Sequence, residues 1–166
     1  MSTLVSVNTY THSVTYVTDQ MLRSLKYIIV NTGLNPENFV GEWSSYELAV
    51  KTWLQSRHLK KVVLEVVSPA GNLVTRTDFD IDYSYGDGEG SMWVDTDALK
   101  FAIAKFGIYP SSCTYNIKLL NSPGRPDVEG WGACTFLSTE GYIKQSLGTT
   151  IGTNSIGASA SYWRKN

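Results

Sequence analysis

The 166-residue chain is 42% apolar and 17% charged, hydrophobic enough to bury roughly 70% of the surface its unfolded form exposes, which excludes a disordered protein. Its 14 Lys and Arg against 15 Asp and Glu leave a net charge of -1, so no whole-protein field grips a phosphate backbone, and direct specific nucleic-acid binding is not expected. No apolar run approaches the roughly 20 residues that cross a bilayer, and neither metal-site cysteine spacing nor a signal-type start is present, so a cytoplasmic protein without membrane, metal or cofactor is expected.

Residues 1–10 are small and polar with no cap or period, and they read as a flexible N-terminal tail. From residue 11 to residue 31, Val14, Val17, Met21, Leu25 and Ile28 fall at steps of three and four, predicting a long helix that stops at Gly33. Asn35 before Pro36 opens a short turn carrying Phe39. Ser44 with Glu47 reads as a capping box for a second helix through Tyr46, Ala49, Val50, Trp53 and Leu54 to Arg57. The β-branched run KKVVLEVVS at residues 60–68, closed by the turn at residues 69–72, predicts a strand. Its hairpin partner at residues 73–85 alternates Phe79, Ile81, Tyr83 and Tyr85 with Asp78, Asp80, Asp82 and Ser84, one face apolar and the other wet. After the glycine-rich loop at residues 86–90, Trp93 and Val94 form a short extended piece. Asp95 then caps a third helix that carries Leu99, Ala102, Ile103 and Phe106 and ends at Gly107. Residues 113–120 predict another strand with Cys113, Tyr115, Ile117 and Leu119 on one face. Residues 121–166 change character: Gly, Ser and Thr dominate, yet Trp131, Tyr142, Ile143, Leu147, Ile151, Ile156, Tyr162 and Trp163 are more than a passive tail requires, so the segment should pack, in more than one way.

Catalytic chemistry finds little support. Asp78, Asp80 and Asp82 could hold magnesium, but no phosphate-cradling Gly-Ser turn lies upstream, and a solvated strand face is the simpler reading. With Glu89 they imitate a calcium loop, except that Tyr83 stands where its sharp turn needs glycine. His12 and His58 have no motif around them, and Cys113 or Cys134 as a nucleophile beside either is weaker than the reading of small buried hydrophobes. The acidic side chains of residues 86–90 would repel phosphate, so that loop reads as a connection. Arg125, between Pro123-Gly124 and Pro126-Asp127, could anchor a carboxylate, although a rigid turn with an exposed arginine is the blander reading.

The order helix, helix, hairpin, helix, strand, long irregular segment resembles a HORMA domain. It is an α+β fold with three helices packed on an antiparallel sheet and a C-terminal safety belt. The stretches THSVTYVTDQMLRSLK, KTWLQSRHLKKVVLEVVSPAGNLVTRTDFDIDY, NSPGRPDVEGW, IKQSLGTTIG and SYWRKN resemble in particular the bacterial HORMA proteins encoded beside CD-NTase enzymes in antiphage (CBASS) operons that also carry a AAA+ remodelling ATPase. The resemblance implies one domain over residues 11–166, with a core at 11–120 and a belt at 121–166. It further implies an adaptor rather than an enzyme: the belt wraps a closure-motif peptide against a sheet edge, and the closed form activates a CD-NTase, a cGAS-like nucleotidyltransferase. Tyr115, Asn116, Ile117, Lys118 and Leu119 are then the edge that pairs with the peptide, and Tyr142, Ile143, Leu147, Tyr162 and Trp163 the wrap. Ser2, Thr3, Leu4, Val5 and Ser6 are the handle a AAA+ ATPase pulls. A static α+β scaffold and a small metal-dependent enzyme using Asp78, Asp80 and Asp82 stand as alternatives.

Overall fold

Three helices carry apolar stripes at helical spacing, and the computed structural model, which describes residues 9–86 and 92–165, lays all three on one face of a sheet. Helix α1 (Thr9–Asn31) starts two residues ahead of the expected point and turns Val14, Val17, Met21, Leu25 and Ile28 fully inward. Asn35 caps the short α2 (Glu37–Gly41) by accepting the Glu37 amide at 2.9 Å, and Phe39 is buried beneath it. The Ser44–Glu47 capping box is not formed. Helix α3 (Trp43–Gln55) follows α2 after Glu42 alone, and the Glu42 carbonyl accepts the amides of Ser45 and Tyr46, so Ser44 already lies inside the first turn. Helix α4 (Thr96–Phe106) begins as expected: the Asp95 carboxylate accepts the Ala98 amide at 3.2 Å, and Gly107 ends it with a φ of 75°. Asp95→Ala should lower stability by about 1 kcal/mol, read from urea denaturation, because one first-turn amide loses its acceptor.

Strands β1 (Leu59–Val67), β2 (Leu73–Asp82), β3 (Trp93–Val94), β4 (Thr114–Asn121), β5 (Tyr142–Gly152) and β6 (Gly157–Lys165) form a sheet ordered β3-β5-β6-β2-β1-β4, every pair antiparallel. Strand β1 lies between β2 and β4 in register: Glu65 stands opposite Arg76 on one side and Asn116 on the other. Its Val62, Leu64 and Val66 enter the core under the helices, which places Lys61, Val63 and Glu65 on the opposite face.

That opposite face departs from the expectation of a wet surface. Residues 135–137 lie across it, and Val63, Glu65 and Asp78 are wholly buried there. Asp78 is gripped by Arg76 through two bonds of 2.6 and 2.9 Å, with Lys61 at 3.3 Å. Lys61 also reaches Asp80 at 3.4 Å. Cations therefore satisfy two of the three aspartates proposed as a metal site. Among the described residues no cluster of His, Cys, Asp and Glu could hold a metal ion. None of the described helices is long and apolar enough to cross a membrane.

The C-terminal segment folds as the β5–β6 hairpin. It looked like loop because Gly148, Gly152 and Gly157 interrupt it, but two of these admit close neighbours: a Cβ on Gly152 would meet the Trp93 ring at 2.4 Å, and one on Gly157 the Tyr85 ring at 2.6 Å. Ile151, Ile156, Ala158, Ala160 and Tyr162 from this hairpin complete the core.

Candidate functional site

Strand β4 ends the sheet, so its backbone groups that point away from β1 meet no strand among the described residues. A long unpaired edge is normally covered or blunted. Here the chain itself arches over it. Beyond Asn121, residues 125–131 dock on the helix side: the Trp53 indole donates to the Pro126 carbonyl at 2.7 Å, and the Arg125 guanidinium lies 4.8 Å from the Trp53 ring centre. Val128 enters the core, and Trp131 meets Trp53 and Tyr46 edge-on at 5.7 and 5.8 Å.

Six residues later the same strap is fastened to the opposite face of the sheet. The Leu137 amide donates to Glu65 Oε2 at 2.7 Å, and Lys118 Nζ donates to the Thr135 carbonyl at 2.7 Å while pairing with Glu65 Oε1 at 2.5 Å. Phe136 lies over Arg76, its ring centre 4.5 Å from the guanidinium carbon. Residues 132–134 must therefore pass around the outside of β4. Between strap and edge lies a groove of about 720 Å³, lined by β4, by Tyr46 and Trp53 of α3, and by strap residues including Arg125, Trp131 and Cys134.

Among the described residues no acidic side chain lines this groove; Lys118 and Arg125 supply its charge. Burial raises the Tyr46 hydroxyl above the ordinary phenol range, reinforced by Glu42 and Tyr115. Burial likewise raises Tyr115, a hydrogen bond with the Phe39 amide opposing it. Both tyrosines are thus neutral and contribute apolar surface with a polar tip. Two solvent-shielded atoms in the lining, Asn121 Oδ1 and Trp131 Nε1, find no hydrogen-bond partner among the described residues. Leaving such groups unpaired costs about 1–3 kcal/mol each.

Of the residues singled out in sequence, Tyr115, Asn116, Ile117, Lys118 and Leu119 come together along the groove. The residues expected to form the wrap do not reach it. Tyr142, Ile143 and Leu147 on β5 and Tyr162 and Trp163 on β6 lie beyond β2, toward the other end of the sheet. Tyr162 packs edge-on against Phe106 at 5.0 Å, Tyr142 donates to the Leu73 carbonyl, and Arg76 sits 5.8 Å below the Trp163 ring. Their place is the clasp that fixes the strap's far end. Ser2, Thr3, Leu4, Val5 and Ser6 lie outside the described residues, as do residues 87–90 of the glycine-rich loop. His58 Nδ1 sits 2.9 Å from Ser56 Oγ, in a local contact that involves neither cysteine. Sequence reasoning gave no groove role to Tyr46, Trp53, Asn121 or Trp131. The signal for them was the aromatic Trp131 among turn formers, which a solvated loop has no use for.

Helices on one sheet face, a strap leaving the edge strand and a hairpin clasped beyond β2 make this a HORMA-type fold. Solved structures that share it include a chain of the mitotic checkpoint complex (TM-score 0.72, 12% identity, 93% of this chain and 99% of that one), C. elegans HTP-2 bound to the HIM-3 closure motif (0.63, 11%, 98% and 99%), and the E. coli MS115-1 CdnC:HORMA-deltaN complex (0.55, 9%, 100% and 94%). No curated protein matches the sequence. The family model for Bacterial HORMA domain 2 matches residues 1–166, and the chain belongs to that family.

Proposed function

We propose that this protein is a signalling adaptor that takes a closure-motif peptide as an added strand on β4, beneath the strap of residues 122–134. The carrying observation is the β4 edge encircled by a strap pinned on both faces of the sheet. Main-chain hydrogen bonds to the edge would supply affinity, and side-chain pockets specificity. HTP-2 bound to a closure motif on the same fold supports this reading. Strap residues 122–141 have slack for it: roughly 20 residues reach on the order of 60 Å when extended, against about 20 Å to cross four strand spacings. Loops of this length without secondary structure are usually functional.

In the same reading, residues 11–166 are one domain, with residues 121–166 as the movable belt. The hairpin that carries Tyr142, Ile143, Leu147, Tyr162 and Trp163 grips β2 while a peptide is held. The peptide-bound form associates with a CD-NTase and switches on second-messenger synthesis in cytoplasmic antiphage defence, without catalysis of its own. The CdnC:HORMA-deltaN complex supports that partnership. A AAA+ ATPase acting on residues 1–10, with Ser2, Thr3, Leu4, Val5 and Ser6 as its grip, reopens the domain. Peptides selected from a random display library should slow amide exchange in residues 131–137 and protect residues 122–141 from proteolysis. The loaded protein should raise nucleotide synthesis by the co-expressed CD-NTase. Exchange and cleavage that are the same with and without selected peptide would overturn the peptide reading, and unchanged synthesis the CD-NTase reading.

A further inference from the structure

Resting on that peptide reading, we infer that the groove selects acidic segments: an extended peptide with a large apolar side chain against Trp131 and, two residues away on the same face, a carboxylate held by Arg125. Among the described residues the lining contains two cations and no acid. One of them is already committed, because Lys118 pairs with Glu65 at 2.5 Å and donates to the strap at Thr135. Arg125 is the cation left to answer a ligand. Its counter-ion within the chain is Asp127, 3.7 Å away with a fully exposed side chain, a pair that solvent screens strongly. The guanidinium carbon lies over the Trp53 ring at 4.8 Å and Nη1 donates to the Pro126 carbonyl at 3.4 Å, which leaves the remaining guanidinium donors for a carboxylate.

The apolar half of the preference comes from the same tryptophan. Trp53 carries Arg125 on its ring face and Trp131 at its edge, so cation and aromatic wall share one side of the groove. On a strand added to β4, successive residues on that side are i and i+2, about 6.6–6.8 Å apart.

A random-peptide display library panned on the full chain reads this directly. Wild-type protein should enrich Asp or Glu two positions from a Phe, Leu, Ile or Trp. Arg125→Lys should keep the acidic preference, Arg125→Gln should erase it while the apolar position persists, and Arg125→Glu should replace it with Lys or Arg. A selected acidic peptide should bind Arg125→Gln about ten- to a hundredfold more weakly than wild type. Enriched peptides with no acidic position, or the same acidic enrichment in Arg125→Gln, would overturn this inference and leave peptide binding standing. Failure of the wild type to enrich any peptide would overturn both.

Discussion

Glu65→Ala is expected to destabilise the protein by about 3–5 kcal/mol and to release the strap from the sheet. Glu65 is wholly buried in the middle of β1, and two groups depend on it: Lys118 at 2.5 Å and the Leu137 amide at 2.7 Å. Removing the carboxylate leaves an ammonium with a side chain only 15% exposed and an amide without its acceptor. The two penalties fall on one site, which is why the loss exceeds that of an ordinary surface ion pair, about 0–1 kcal/mol. Glu65→Leu combined with Lys118→Met removes both charges together and should recover the share of the loss that comes from the unpaired ammonium, while the Leu137 amide stays without its acceptor. Urea denaturation of both singles and the double gives the coupling. Amide exchange at Leu137 reports the strap, and in Glu65→Ala it should quicken before the amides of β1 do. Equal stability of Glu65→Ala and wild type would remove the pin from the account.

Trp53→Ala should cost about 4–6 kcal/mol: 3–5 for emptying an aromatic core site and about 1 for the bond from its indole to Pro126. The indole is 1% exposed and is the meeting point of α3 with the strap, through Pro126, Arg125 and Trp131. Against a total stability of order 5–15 kcal/mol, such a loss brings a domain near unfolding. Trp53→Phe separates strap from core. It keeps most of the buried ring, loses the Pro126 bond, and should cost about 1–2 kcal/mol while exchange in residues 125–131 rises. Should Trp53→Phe leave that exchange unchanged, the strap would owe its helix-side anchorage to Val128 and Trp131 alone.

Both predictions concern residues whose importance the sequence only half shows. The spacing of Val14, Val17, Met21, Leu25 and Ile28 is enough to name a buried helix stripe, because a 3.6-residue period has no other use in a folded chain. The Asp95 cap and the strand at residues 113–120 were equally plain, for the same local reason. Glu65 stands as the single charge in VVLEVV, but that β-branched run predicted only a strand and not its burial on both faces. The alternation in β2 argued for one wet face. Residues 135–137 overturn that by lying on this face, Phe136 over Arg76, a long-range fact that no local pattern in β2 records.

The glycine-rich C-terminal quarter shows the same division. Its spaced apolar residues announced that it packs, but not that it packs as a hairpin on β2 while its strap encircles β4 at the far end of the sheet. Periodicity, caps and turn residues act over a few neighbours, so the chain alone determined the helices, the central hairpin and the strand whose outer edge carries the site. Which strand stands last in the sheet, what passes around it, and which arginine faces the groove depend on contacts between segments tens of residues apart. Only the folded packing of Trp53, Trp131 and Glu65 decided those.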